Sequence, residues 1–439
     1  MNAALARMGR LRLISLIMEQ ELMSHFAVIG AGITGITTAY ALIERGHHVT
    51  VIDRQPLPAM ETSFANGGQL SASNAEVWNS VGTVFKGLRW MARRDAPLLF
   101  NPRPGWHKFS WIAEFLGAIP KHDVNTMETV RLAIEARKYL FDIAEREGID
   151  FDCEKRGILH IYRNPQSFAD AARTNELVRA GGLDRFQVSP EEMRRIDPTV
   201  SGDYCGGYYT PSDATGDICK FTRGLAAACE RKGAVLQLDR AVQAIAVHDR
   251  GVTIRTASLL DARIEDVGHF DGLVICAGVG SRRLAAMIGD RVNVYPVKGY
   301  SITVMLRDEA SQSAAPWVSL LDEDAKIVTS RLGKDRFRVA GTAEFNGENR
   351  DIRADRIAPL VQWVRQLFPG VSVGEVLPWA GLRPMLPDMM PRVGAGHRPR
   401  VFYNTGHGHL GWTLSAVTAQ MVAATIDQSL ETKPTLRVA

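Results

Sequence analysis

Apolar and polar positions alternate in two ways along this chain of 439 residues, and the difference predicts where helices and strands lie. Near the start, residues 25–29 and 49–52 are short apolar runs rich in β-branched residues, the composition of buried parallel strands. Between them, at 36–43, apolar residues recur at helical spacing, so a helix with one buried face is expected. The chain therefore begins with a predicted strand–helix–strand unit.

Farther along, the helical period and the two-residue period of strands alternate several times. Helices are predicted at 126–147, 168–180, 217–232, 353–368 and 413–430, and strands at 157–162, 235–238, 242–247, 252–256, 273–276, 295–306, 326–330 and 336–342. Residues 291–345 alternate or carry β-branched side chains, as in a mostly antiparallel sheet. The pattern and the length together predict an α/β protein of two or three domains.

The turn after the first strand carries a phosphate-binding pattern. It reads Gly30-Ala31-Gly32-Ile33-Thr34-Gly35 and matches G-x-G-x-x-G. Its glycines would allow, in order, a sharp turn, the approach of a phosphate to the backbone, and close packing of the helix on the sheet. Asp53 ends the second strand, where a ribose hydroxyl would be held. The alternative is an ordinary tight turn, with an acid that merely ends a strand.

Two further glycine-rich turns, at 277–281 and 404–412, and a small-residue loop at 61–70 lie far from the first turn in sequence. A nucleotide domain built from distant segments would bring them together, which suits a large two-part cofactor better than a simple N-terminal NAD module. Residues 406–411 lead into a helix start, where free N–H groups favour negative charge such as that of a reduced flavin. A phosphate site or a plain helix cap is the alternative.

Arg383 lies in the segment Gly381-Leu382-Arg383-Pro384, for which a stiff turn is predicted. A fixed guanidinium there would suit bidentate capture of a carboxylate, although a surface ion pair is the alternative. His407 and His409 are either site residues or loop histidines bonded to backbone. The sequence contains neither G-x-S-x-G nor H-E-x-x-H, and hydride transfer needs neither.

Composition excludes several classes of protein. With 46% hydrophobic and 23% charged residues the chain is an ordinary globular one, and a net charge of +4 indicates no nucleic-acid partner. An odd number of cysteines without a C-x-x-C pair predicts free thiols in a reducing compartment, not a disulfide framework or a metal site. They are Cys153, Cys205, Cys219, Cys229 and Cys276.

Two segments suggest contacts outside the core. Residues 1–22 have a basic start and an apolar run too short to span a bilayer, so a flexible tail or a translation start at Met23 is expected. Residues 84–116 interleave basic and aromatic side chains, which predicts either a helix packed on its own domain or contact with a membrane surface. The expected location is cytoplasmic, with peripheral contact at the inner face of the plasma membrane left open.

Taken together, these segments resemble the D-amino-acid oxidase superfamily of flavoproteins, which includes glycine oxidase and sarcosine oxidase, and within it the bacterial D-amino-acid dehydrogenase family. The resemblance rests on VIGAGITG, TSFANGGQLS, PVKGYS, RVAGTAE, WAGLRPMLPD and GHGHLGWT. It implies non-covalent FAD, a Rossmann-like FAD-binding domain of discontinuous segments, and an inserted α+β substrate domain with a mixed, largely antiparallel sheet. The expected segments are 24–90, 205–297 and 376–432 for the FAD-binding domain and 91–204 and 298–375 for the substrate domain, after an N-terminal extension of residues 1–23.

By the same resemblance, the expected site residues come from all the glycine-rich segments. Those expected at FAD are Gly30, Ala31, Gly32, Ile33, Thr34, Gly35, Asp53, Arg54, Ser63, Asn66, Gly67, Gly68, Gln69, Leu70, Val242, Ala277, Gly278, Gly406, His407, Gly408, Leu410, Gly411, Trp412 and Thr413. The expected catalytic residues are Arg383, which would bind the substrate carboxylate, His409 and Tyr300.

The resemblance implies oxidative deamination of D-amino acids, D-proline types included, to 2-oxo acids or cyclic imines by hydride transfer to flavin N5. Electrons would pass to a quinone or another acceptor; an oxygen-using amine, glycine or sarcosine oxidase and a non-catalytic dinucleotide-binding redox sensor are the alternatives. Met389-Met390 replaces a usual glycine-containing turn and His409 occupies a variable position, so the side-chain preference stays open. No cysteine lies at 380–412, so covalent flavin attachment is not expected.

Overall fold

The computed structural model describes residues 23–91, 98–200, 202–261 and 263–431. The expectations for residues 1–22 lie outside these ranges. The strands are β1 His25–Ile29, β2 His48–Ile52, β3 Gln69–Leu70, β4 Leu98–Phe100, β5 Ile158–Tyr162, β6 Phe186–Val188, β7 Gly206–Thr210, β8 Ala214–Thr215, β9 Val235–Gln237, β10 Arg240–His248, β11 Gly251–Ser258, β12 Ile264–Phe270, β13 Gly272–Ile275, β14 Tyr295–Met305, β15 Ser319–Asp322, β16 Ile327–Leu332, β17 Arg336–Phe345, β18 Val376–Met385, β19 Arg392–Ala395 and β20 Val401–Thr405.

Helices separate many of these strands. They are α1 Ile33–Ile43, α2 Val81–Met91, α3 Trp106–Gly117, α4 His122–Glu147, α5 Pro165–Ala180, α6 Pro190–Ile196, α7 Ile218–Arg231, α8 Ser281–Met287, α9 Glu309–Ala314, α10 Ala354–Leu367 and α11 Gly411–Glu431. Short 3-10 turns occupy Ile119–Lys121, Gly278–Gly280 and Gly408–Leu410. The sequence periods therefore predicted the long helices and most strands to within a few residues.

A six-stranded sheet forms the first structural unit, in the order β19-β20-β13-β1-β2-β9. All neighbours are parallel except β19 and β20. Because successive side chains of β1 point to opposite faces, Val28 packs with α1, α7 and α11, whereas Ile29 packs against the three-stranded sheet β10-β11-β12. Helices on one face and a small sheet on the other give a Rossmann-like unit of three layers, as the sequence predicted.

A nine-stranded sheet forms the second unit, in the order β18-β14-β17-β16-β15-β5-β7-β6, with β4 added beside β17. Only the pairs β5–β15 and β4–β17 are parallel, so the predicted mixed, largely antiparallel sheet is confirmed. Helix α10 packs on one face of this sheet, where Tyr300, Ile302 and Val304 contact Leu360 and Trp363. The opposite face is turned toward the large cavity described below.

One expectation about local structure was wrong, and two strands pair outside the six-stranded sheet. Strands β7 and β18, which lie in the segments 205–297 and 376–432 expected for the FAD-binding domain, hydrogen-bond within the nine-stranded sheet. Arg383 and Pro384 lie in β18, not in a stiff turn. Because β18 is the edge strand of the sheet, a proline that lacks an N–H is tolerated there.

The cysteines confirm the expectation of free thiols. All five are free; Cys229 and Cys276 are buried, whereas Cys153, Cys205 and Cys219 are partly exposed.

Candidate active site

One cavity of about 840 Å³ collects almost every residue that the sequence singled out. Its volume is typical of a site for a cofactor and a small substrate. Residues from both large sheets line it, and they include all three expected catalytic residues. Of the residues expected at FAD, only Gly35 and Leu70 do not line this cavity.

In the glycine turn after β1, Gly30 and Gly35 lie tightly against the protein, whereas Gly32 borders the cavity. Gly30 has a φ of 116°, and a Cβ there would lie 2.6 Å from the Cys276 carbonyl oxygen. A Cβ on Gly35 would overlap the Gly30 carbonyl, so this residue serves packing and lies behind the cavity. At Gly32 a Cβ would contact only Ser63 Oγ, at 3.4 Å. No protein neighbour forbids a side chain at Gly32, and its open side faces the cavity, where a phosphate would approach.

Asp53 supports this turn directly. Its Oδ2 accepts a hydrogen bond from the Ala31 amide at 2.6 Å, and its Oδ1 accepts one from the Gln55 amide at 2.8 Å. Burial raises the pKa of the carboxyl group. Arg54 is more exposed and its Nη2 donates to Glu61 Oε1 at 2.7 Å, so its charge is directed toward that carboxylate.

The loop before and through β3 is held against the nine-stranded sheet. Ser63 Oγ accepts from the Ile33 amide at 3.0 Å, at the start of α1. Ser330 Oγ donates to the Gly67 carbonyl at 2.6 Å, and Gln69 Nε2 donates to Ser319 Oγ at 2.8 Å. Leu70 lies in the core instead of the cavity. The loop thereby forms a floor that connects the glycine turn with the second sheet.

The remaining cofactor candidates lie in β10 of the three-stranded sheet and directly after β13, the parallel neighbour of β1. Val242 in β10 lines the cavity, and Arg283 Nη2 donates to its carbonyl at 3.4 Å. Ala277 and Gly278 follow β13, and Gly278 has a φ of 53°. Val242, Ala277 and Gly278 border the same cavity as Asp53, although Val242, the nearest of them in sequence, lies about 190 positions after Asp53.

The turn at 406–413 leads into α11 beside the floor loop. The amide of Ser71 donates to Thr413 Oγ1 at 3.2 Å. His407 is buried, its Nε2 bonds with Thr418 Oγ1 at 2.9 Å, and burial lowers its pKa to about 3. Trp412 is buried as well, and its Nε1 has no hydrogen-bond partner within the described part of the chain. A buried donor without a partner fits a ligand acceptor at this turn.

His409 has a defined tautomer. Its Nε2 lies 3.1 Å from the Asn74 carbonyl oxygen. Because a carbonyl only accepts, Nε2 carries the proton and Nδ1 presents a lone pair. Nδ1 is buried and has no partner among the described residues, and burial lowers the pKa of the ring to about 4. The ring stacks on Trp78 with centroids 4.9 Å apart, a contact that no sequence pattern predicted.

Arg383 projects from β18 over Gly299 of the neighbouring strand. A Cβ on Gly299 would overlap its guanidinium, so the glycine makes room for it. Its Nη1 donates to the Thr342 carbonyl at 3.0 Å, and within the described ranges no carboxylate lies at ion-pair distance. Burial lowers its pKa to about 10, which leaves it cationic at neutral pH. The side chain therefore keeps donors free for an anionic ligand in the cavity.

Tyr300 does not join Arg383 and His409. It is next to Gly299 in β14, so its side chain lies on the opposite face of the sheet. Its hydroxyl donates to Glu344 Oε2 at 2.7 Å, and burial raises its pKa. Tyr300 borders the cavity, but its hydroxyl group is hydrogen-bonded to Glu344 on the other face of the sheet. The sequence placed the residue near the site without showing which way its side chain points.

The basic–aromatic run at 84–116 contains both packed and exposed aromatic side chains. Trp111 is buried and donates from Nε1 to the Met385 carbonyl at 2.9 Å, as a packed helix requires. In contrast, Trp106 is 86% exposed and Phe85 is 69% exposed, with Phe109 also exposed. Residues 92–97 lie outside the described ranges. None of the described helices has the length and apolar content needed to cross a membrane.

Comparisons with known proteins agree on the kind of protein this chain resembles. The family of FAD dependent oxidoreductases named DAO matches residues 25–425. D-amino acid dehydrogenase 3 of Mesorhizobium japonicum is 59% identical over 408 residues, which cover 93% of this chain and 98% of that protein. D-amino acid dehydrogenase of Paramagnetospirillum magneticum is 40% identical over 90% of this chain and 93% of its own length. The crystal structure of glycine oxidase from Geobacillus kaustophilus has a TM-score of 0.69, 20% identity, and coverage of 92% and 95%, and supports the fold.

Proposed function

The chain belongs to the DAO family of FAD-dependent oxidoreductases, and we propose that it oxidises D-amino acids and passes the electrons to a quinone. The names of the two relatives, at 59% and 40% identity, support the substrate class. The observation that carries the proposal is Arg383, a cation in the cavity wall without a carboxylate partner in the described chain.

Residues suited to each part of FAD line the cavity. The open side of Gly32 and the start of α1 suit the pyrophosphate, Asp53 suits the ribose, and Val242 suits the adenine. Residues 66–69 and 406–413, with the free Trp412 Nε1, suit the isoalloxazine. When bound, FAD supplies N5 as the acceptor of a hydride. The six-stranded unit then forms the FAD-binding domain and the nine-stranded unit the substrate domain.

Arg383 binds and orients the substrate carboxylate. A guanidinium offers two parallel N–H donors, and a bidentate pair fixes both the position and the rotation of the acid. Among the residues that the structure describes, only the Thr342 carbonyl accepts a hydrogen bond from the guanidinium, at Nη1, so other donors remain for the substrate. Positioning of this kind is the main contribution that a protein makes to hydride transfer, because the group that accepts the hydride belongs to the cofactor.

His409 contacts the substrate amine as a neutral acceptor. Its Nδ1 lone pair accepts one amine N–H, and the low pKa of the ring prevents it from presenting a competing donor at neutral pH. The amine must lose its extra proton to solvent before the Cα hydride leaves, and the product is then an iminium ion, which gives the imine when it loses a proton to water. Water converts the imine to a 2-oxo acid and ammonia, whereas a D-proline-type substrate gives a cyclic imine.

An exposed apolar surface supports a lipid-soluble acceptor. Val81, Phe85, Trp106, Phe109 and Val124 are all more than half exposed, and they lie in or near α2, α3 and the start of α4. A contiguous patch of exposed apolar residues typically marks a contact surface. These exposed side chains support peripheral contact with a membrane, where a quinone would be available.

The proposal is tested on the purified protein. Denaturation should release free FAD, and a D-amino acid should bleach the flavin absorbance in the absence of oxygen. A soluble quinone analogue added afterwards should restore the absorbance faster than oxygen does. Bound NAD without flavin, or a flavin that no D-amino acid reduces, contradicts the proposal; faster recovery with oxygen identifies an oxidase.

A further inference from the structure

The wall of the cavity beside Arg383 is apolar, and strand geometry explains why. Arg383 bonds to the Thr342 carbonyl, and the next two residues of β17 that line the cavity are Ala343 and Phe345. Glu344 lies between them and points to the other face, where it accepts from the Tyr300 hydroxyl. The strand thus turns its charge away from the cavity and presents apolar side chains to it.

Strand β4 extends the same apolar wall. It pairs in parallel with β17, so that Leu98 lies beside Ala343 and Phe100 lies beside Phe345. Leu98 and Phe100 line the cavity, whereas Leu99, which alternates to the other face, does not. Two paired strands therefore contribute four apolar side chains to one patch.

Helix α3 covers this patch with aromatic rings. The Trp111 ring lies 5.6 Å from Phe345 and stacks on Phe115 at 5.1 Å, and Phe100 lies 6.1 Å from Phe345. The one polar atom of Trp111 is bonded to the Met385 carbonyl. Lys108 is nearby, but its Nζ donates to the carbonyls of Asn101 and Arg103 and does not line the cavity. We call the part lined by Leu98, Phe100, Trp111, Phe115, Ala343 and Phe345 the apolar pocket.

We propose that the apolar pocket receives the substrate side chain and selects D-amino acids with large apolar or aromatic side chains. The inference rests on the proposed function, because it takes Arg383 as the anchor of the carboxylate. Ala343 and Phe345 follow Thr342 directly in β17, so the apolar pocket begins beside the Arg383 anchor and extends away from it along the strand. A charged side chain would lose its hydration there and find no partner among the residues of the pocket.

The substrate preference follows directly. In anaerobic flavin reduction, the second-order rate constant should be about ten- to a hundredfold higher for D-phenylalanine than for D-alanine, because a phenyl group buries much more apolar surface than a methyl group. D-Aspartate should be the slowest. Equal or faster reduction by D-alanine or D-aspartate overturns the inference, whereas failure of every D-amino acid overturns the proposed function instead.

Variants locate the effect. Phe345→Ala should lower the rate constant for D-phenylalanine about tenfold and that for D-alanine less than threefold, and Ala343→Phe, which fills the pocket, should exclude D-phenylalanine selectively. Leu99→Ala, on the opposite face of β4, is the matched control and should change neither. FAD content and thermal unfolding verify that each variant is folded. Parallel losses for both substrates, or an effect of Phe345→Ala only on reoxidation by a quinone analogue, contradict a side-chain pocket.

Discussion

The carbonyl of Thr342 accepts a hydrogen bond from Arg383 Nη1 at 3.0 Å, although Thr342 has a φ of 63° that β-branched residues rarely adopt. The pairing of β14 with β17 explains this backbone: Tyr300 faces Gly341 and Lys298 faces Glu344, so β17 bulges outward at Thr342. The bulge and the positive φ at Thr342 hold its carbonyl where the partly buried guanidinium can donate to it.

Changing Arg383 should impair substrate binding and leave the cofactor in place. Arg383→Lys keeps the charge but loses the bidentate geometry, and Arg383→Ala loses both. A charge-assisted hydrogen bond contributes about 1.5–3 kcal/mol, so flavin reduction by a D-amino acid should slow roughly ten- to a hundredfold or more in Arg383→Ala. The deficit should shrink for an amine that lacks a carboxylate. Stopped-flow absorbance measures both, and an unchanged rate in Arg383→Ala would show that the carboxylate binds elsewhere.

Replacing Asp53 should weaken the affinity for FAD. Asp53→Ala removes the acceptor of the Ala31 amide and the proposed ribose contact, which costs about 1–3 kcal/mol and corresponds to roughly a five- to hundredfold weaker complex. The variant should purify partly as apoprotein. Asp249→Ala, in the exposed turn between β10 and β11, removes the same charge and serves as control. Titration of the apoproteins with FAD measures the affinity of each variant. Equal affinities in Asp53→Ala and Asp249→Ala would contradict the assignment of Asp53 to the ribose.

The buried His407 should make stability depend on pH. The unfolded chain protonates this residue below about pH 6.5, whereas burial lowers the folded pKa to about 3. Because the unfolded state binds more protons in that window, the free energy of unfolding should fall as the pH falls through it. In His407→Gln the slope between pH 6 and 4 should be shallower by about 1 kcal/mol per pH unit. Urea unfolding at several pH values tests this, and a slope in His407→Gln equal to that of the parent protein would contradict it.

The exposed aromatic surface should bind anionic vesicles. The double variant Trp106→Ser and Phe109→Ser should bind at least about tenfold more weakly, because each ring buries apolar area worth about 1.5–3 kcal/mol. Binding should also weaken with salt, since screening shortens to about 8 Å near physiological ionic strength. Leu260→Ser, an equally exposed apolar residue in the second hairpin of the small sheet, is the control. Parent protein that stays unbound at low salt would refute the membrane contact.

The sequence predicted the local features well because short-range chemistry determines them. The glycine turn and the free cysteines follow from patterns a few residues long, and the convergence of residues 30–34, 66–69 and 406–413 on one cavity follows from a nucleotide domain that is built from distant glycine-rich segments. What it did not predict depends on partners distant in sequence. The sequence predicted a turn at Pro384, because a proline is compatible with a strand only at the edge of a sheet, and the sequence does not show that β18 is an edge strand. The direction of the Tyr300 side chain depends on the register of β14. The bulge at Thr342 and the stacking of Trp78 on His409 likewise arise from tertiary pairing.

The most direct test of the central claim compares the two enantiomers of one amino acid. The purified flavoprotein is mixed without oxygen with D-phenylalanine or with L-phenylalanine, and the rate of flavin reduction is followed by stopped-flow absorbance. With the carboxylate bound by Arg383, the amine at His409 and the side chain in the apolar pocket, only one enantiomer presents its Cα–H to the cofactor. The D enantiomer should reduce the flavin at least about a hundredfold faster than the L enantiomer. Equal rates, or faster reduction by the L enantiomer, would contradict it.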